Sequence, residues 1–212
     1  MRSWTMPLAL LGLLWLAATC ASQPAVQHAA SDAAVVELLT SACNRALAAL
    51  APERETALAA LPPEVGPALR ALHGTGMGGR VVALETALER SARLALADTK
   101  PWLADAAARF APDGPESLLG GGDDAVSVAF RGATEADLRA QLAPAAERRL
   151  AETGAPAALA SVRDGASRLP LPRPVDLDLV SVVTDRAVAS FFTALAEEER
   201  RIRQERVALQ GG

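Results

Sequence analysis

Apolar residues return every three or four positions through most of the chain from Ser31 onward, a spacing that predicts amphipathic helices. In "SDAAVVELLTSACNRALAALAP", Val35, Leu38, Leu39, Ala42, Cys43, Ala46, Leu47 and Leu50 share one face; Ser31 is placed to cap this helix and Pro52 to end it. Shorter helical pieces are expected around Arg54–Leu61 and Glu64–Leu72, separated by Pro62 and Pro63. "GRVVALETALERSARLALAD" sets Val81, Leu84, Leu88 and Ala95 on one side of a longer helix. Thr99 is then expected to cap a new helix, "KPWLADAAARF", whose proline sits in the first turn, where amides lack helical partners.

The most broken segment is "APDGPESLLGGGDD", a turn-rich connection leading to a helix that begins near Asp124. Thr134, with Asp137 three residues on, has the spacing of a capping box for a further helix, in which Pro144 predicts a kink or break. Pro156 can start the next helix, which fades near Ser167; "RLPLPRP" reads as an extended connector and "VDLDLVSVVTDRAVASFFTALAEEERRIRQERVAL" as one long final helix. Phe191 and Phe192 cannot point the same way along it, so one is expected in the core and the other over a neighbouring helix or a partner. Only "LDLVSVVT", with its valines, competes as a strand. The expectation is an all-α, single irregular domain of about seven to nine helices over residues 31–210, ending in a long helix.

The first residues follow a different logic. "MRSWTMPLALLGLLWLAATCAS" has a basic start at Arg2, an apolar run from Pro7 to Ala18 and then small residues, the order of a secretory signal over residues 1–21, with a polar, alanine-rich spacer over 22–30. The run is short for a membrane span, which needs about 20 apolar residues. Two leaders fit. "LAATC" is similar to a lipobox that would acylate Cys20, despite Thr19 before the cysteine and Ala17 in place of the usual leucine; the alternative is ordinary cleavage after Ala21. Export is therefore expected, with membrane contact only through a lipid on Cys20.

Half of the residues are hydrophobic, enough for a core, and the formal charge is −4, one unit more negative once Arg2 is removed. A basic footprint for nucleic acid is absent from this balance, and with aromatics at 3% and no tyrosine, stacking platforms for bases or sugars are hard to build. Cys43 lies on an apolar helix face and is expected to behave as a small hydrophobe.

Two motifs invite a sharper reading. "HGTGMGG" satisfies GxGxxG through Gly74, Gly76 and Gly79, with Asp98 at a suitable distance for a ribose contact, but a dinucleotide site needs a strand to deliver the chain into the glycine turn, and "EVGPALRALH" reads as helix. His73 is expected to cap or pack, and with only two histidines, His28 and His73, no zinc cluster is expected. In "LLGGGDDAVSVAFR" the glycines allow a tight reversal, and Asp123 or Asp124 can accept the first amides of the following helix. Calcium would need about six to eight oxygens, and two adjacent carboxylates supply few. The charge block "EEERRIRQER" offers Glu197–Arg201 and Glu199–Arg203 at helical spacing; an exposed face is expected, and these four residues are the candidate interaction surface. The catalytic motifs sought, a GxSxG elbow, HExxH and a P-loop, are not found, so no catalytic, metal or cofactor residue is assigned, although carboxylates brought together by folding remain an open route to catalysis.

The segments "LRALHGTGMGGRVVALETALERSA", "LLGGGDDAVSVAFRGATEADLRAQLAP" and "DLVSVVTDRAVASFFTALAEEERRIR" occur in an order that resembles the bacterial family DUF4197 and cover most of the chain after the leader. The resemblance implies an exported, largely helical protein of a Gram-negative envelope, in the periplasm or as a membrane-anchored lipoprotein, brings no catalytic residue, and makes Gly76, Gly78, Gly121, Gly122, Asp123 and Asp124 structural turn and cap positions. The chain departs from the family pattern at "AVSVAF", at "LERSAR" and in its tail "QERVALQGG". The leading expectation is a non-enzymatic module that binds another envelope protein; the alternatives are a carrier of an apolar ligand held between helices and, third, an enzyme using scattered carboxylates.

Overall fold

The computed structural model describes residues 23–54, 58, 60–61, 66–168 and 177–210, and all regular structure among them is helical. In chain order the helices are α1 (Gln23–Ala49), α2 (Gly66–Leu72), α3 (Gly78–Ala108), α4 (Pro115–Leu119), α5 (Ala125–Thr153), α6 (Ala155–Ala166) and α7 (Leu179–Gln210). The segment expected as a leader, with Cys20, and the one expected as a connector, from Leu169, lie outside the described residues. Helix α1 begins at Gln23, so the region expected as a spacer is helical and Ser31 lies inside the helix rather than at its cap. The helix expected from Arg54 to Leu61 is not formed at the described positions 54, 58, 60 and 61. "LDLVSVVT" is helix, capped by Asp178, whose Oδ1 accepts the amides of Val180 and Ser181, both at 3.1 Å.

Four long helices build the core. α3 and α7 touch each other and both flank α1 and α5, whereas α1 and α5 barely meet; α6 packs on α3, and α4 on α1. Cross-links fix the directions. Asp98 meets Arg149 and Ser91 meets Thr153, so α3 and α5 are antiparallel; Arg131 lies over Phe192 and Arg139 pairs with Asp185, so α5 and α7 are antiparallel too. Within α7, Val183, Ala187, Val188, Phe191 and Leu195 have no exposed surface. The stretch Leu179–Leu209 is long and apolar enough to cross a membrane by length and composition, but here its large apolar positions from Val182 to Ile202 are buried in the core, while Val207 and Leu209 are exposed.

Two helices run through positions expected to break them. α3 continues past Thr99 and Pro101, and α5 past Gly132, Thr134 and Pro144. Neither threonine caps: Thr99 Oγ1 donates back to Leu96 O at 3.0 Å and Thr134 Oγ1 to Phe130 O at 2.7 Å, as hydroxyls inside helices do. Each proline removes the donor that would reach the carbonyl four residues earlier. Pro101 and Pro144 are exposed, and so are Ala97 and Ala140, whose carbonyls are thereby freed; water can satisfy them and the helix need not end. Gly154, in the left-handed region at φ 74°, makes the real break, joining α5 directly to α6.

The four phenylalanines of the chain form one series across the core. Phe110 and Phe130 meet edge-on with centroids 5.4 Å apart, Phe130 and Phe192 at 6.5 Å, and Phe192 and Phe191 at 5.2 Å. Both Phe191 and Phe192 are buried, because α7 has neighbours on several sides.

Candidate functional site

The glycine–aspartate junction and the charged end of α7, read separately from sequence, meet in one place. Antiparallel packing brings Glu199 of α7 against the first turn of α5, where its carboxylate accepts the amides of Val126 (3.1 Å) and Ser127 (2.7 Å) and the hydroxyl of Ser127 (2.6 Å). These are the second and third amides of the helix, the donors that a capping side chain ordinarily takes. Asp124 holds the N-cap position but makes no side-chain hydrogen bond to the helix, so the capping role expected of Asp123 or Asp124 passes to Glu199, 72 positions beyond Ser127. Instead Asp124 faces Arg200 at 3.8 Å, with both side chains more than two-fifths exposed.

The other end of the junction is closed by the partner of Glu199. Arg203 binds Glu199 Oε1 through Nε (3.0 Å) and a terminal nitrogen (2.8 Å), and donates to the carbonyls of Leu118 and Leu119, both at 2.9 Å. One ion pair thus satisfies the carboxyl end of α4 and the amino end of α5, each with the charge that suits its end of a helix. Glu199 is 1% exposed. Of the four residues expected as an exposed interaction face, Glu199 and Arg203 therefore point inward. Glu197 stays exposed, and Arg201 pairs with Glu198 at 2.7 Å rather than with Glu197. A similar device closes α1, which has no basic residue in its own last turn: buried Arg93 of α3 donates to Leu50 O and Ala51 O at 3.5 and 3.4 Å, and binds Glu89 at 2.9 Å.

Between the two helix ends the chain turns within Gly120–Gly122. A Cβ on Gly121 would stand 2.8 Å from Ser117 O and 3.1 Å from the Ala125 methyl, whereas Gly122 has open space around it. Gly121→Ala is expected to destabilise by about 1–3 kcal/mol through overpacking, and Gly122→Ala by far less, measured by denaturant unfolding.

At the first glycine motif, α2 leads into a wide turn, His73–Met77, in which Gly76 is left-handed at φ 80°; Gly78 is the first residue of α3, with ordinary helical angles. Helix α2, not a strand, leads into the turn, and Asp98 sits about 30 Å along α3 from its start, at about 1.5 Å per residue, too far to share a nucleotide with these glycines. Asp98 instead receives Arg149 through two hydrogen bonds, at 2.7 and 2.9 Å, with Arg148 at 3.6 Å. His73 Nε2 lies 3.9 Å from Glu85.

Hydrogen bonding from Arg149 holds the Asp98 carboxyl below its ordinary range. A folded pKa depressed below the unfolded one contributes stability that is present above the unfolded pKa, about 3.9, and is lost as pH falls through the folded value. Stability curves from pH 6 to pH 2 should therefore lose less on acidification in Asp98→Asn than in the native chain; equal slopes would remove this pair from the acid response.

Cys43 is 2% exposed, and burial pushes its thiol up to about 12, which disfavours the thiolate needed for nucleophilic chemistry. No group of three or more metal-ligating side chains occurs among the described residues. A surface cleft of about 250 Å³ lies between α5 and α7, lined by Ser127, Val128, Arg131, Phe192, Thr193 and Arg200 among others. Arg131 sits 5.4 Å from the Phe192 ring centre and also binds Glu135 at 2.7 Å. Val128 at its edge is 63% exposed.

A family model described as protein of unknown function (DUF4197) matches residues 25–211. Neither the curated proteins nor the solved structures contain a match to the chain.

Proposed function

The chain belongs to the DUF4197 family, and we propose that it is an exported, non-enzymatic helical module of a Gram-negative envelope that binds a helix of another envelope protein along the outer face of α5. One observation carries this reading. Val128, Gly132, Ala136 and Ala140 are all exposed and lie four residues apart, so they form a stripe along α5 that starts at Val128 on the edge of the α5–α7 cleft. Small side chains let a second helix approach towards the short end of the usual spacing of about 8–10 Å. Arg131 and Arg200 at the cleft would meet polar groups at the rim of such a contact. The charged face first expected to serve is partly consumed inside the fold, which moves the proposed surface from α7 to α5. Export rests on the leader, with Cys20 acylated or the chain cleaved after Ala21.

The apolar-carrier reading has less support, since ligand pockets are mostly apolar, whereas this cleft is edged by arginines and the larger clefts, of about 370 to 640 Å³, are lined by charged side chains such as Arg54, Arg93 and Glu198. A photo-crosslinking residue at position 136, in the chain exported with its own leader, should give a discrete protein adduct that is absent when the probe replaces exposed Val82 on α3. Ala136→Arg in a chain probed at position 128 should suppress that adduct. No protein adduct at position 136, together with a non-covalent lipid mass in native mass spectra, would overturn the interaction reading in favour of a carrier. The same spectra report the mature N-terminus: an acylated Cys20 or a start near Ser22 supports export, and a retained leader on a cytosolic chain contradicts it.

A further inference from the structure

We draw no further inference here: the strongest candidate, the groove between the end of α1 and α7 lined by Arg45, Arg54, Glu198, Arg201 and Glu205, already pairs Arg45 with Glu205 and Arg201 with Glu198, and its one carboxylate oxygen without a partner, Glu198 Oε2, has less than 1 Å² of exposure, so nothing in the structure shows what would cover it.

Discussion

Glu199→Ala is expected to lower stability by about 3–5 kcal/mol, the range for breaking a buried charge pair by removing one partner. The substitution withdraws the acceptor from the Val126 and Ser127 amides and from the Ser127 hydroxyl, and leaves the Arg203 guanidinium, 16% exposed, without its carboxylate. For a domain of this size that corresponds to a fall in Tm of roughly 6–20 °C. Asp124→Ala is the matched control. Asp124 sits at the N-cap by sequence but makes no capping hydrogen bond and is partly exposed, so its loss should stay within about 0.5 kcal/mol. If Asp124→Ala cost as much as Glu199→Ala, the local cap would be the real one. Glu199→Ala combined with Ser127→Ala should fall short of the sum of the two single effects, because both remove the same hydrogen bond.

A loss of similar size is expected at Phe130. Its ring has no exposed surface and stands between Phe110 of the α3–α4 connection and Phe192 of α7. Phe130→Ala should cost about 3–5 kcal/mol, the transfer of the ring plus the cavity left when neighbours only partly relax. Phe130→Leu refills much of that space and should cost less than about 1.5 kcal/mol. Guanidinium unfolding curves for both variants separate a packing role from a merely hydrophobic one. Equal losses for leucine and alanine would mean that the edge-on contacts, and not the filled volume, set the cost.

What the sequence made legible follows the periodicity. Val35, Leu38, Leu39, Ala42, Ala46, Val81, Leu84, Leu88 and Ala95, expected on core faces, are all buried, and the long final helix is present. Helix ends are less legible. Thr99 with Pro101 and Thr134 with Pro144 carry the local chemistry of a break, but a proline on the solvent side of a long helix frees a carbonyl that water can reach, and which side it occupies depends on tertiary packing. At the candidate site, the i,i+4 pairing of Glu199 with Arg203 was visible from spacing, and the need to cap the helix after the triple glycine was visible from the turn. Their connection was not, because Glu199 and Ser127 are 72 residues apart. One signal was present: Glu199 continues the spacing of Phe191 and Leu195 towards Ile202, which places a carboxylate on a buried face, and a buried charge requires a partner.

The Glu199–Arg203 pair is the clamp that joins α4, the glycine turn and α5 to the last helix. Native-state hydrogen exchange of the Val126 and Ser127 amides tests it most directly, because these donors have Glu199 as their acceptor. In the native chain both amides should be strongly protected; in Glu199→Gln, which keeps the shape but weakens the acceptor, their protection should fall while amides in the middle of α3 keep theirs. Unchanged protection at Val126 and Ser127 would contradict the clamp and return the capping of α5 to the aspartates beside it.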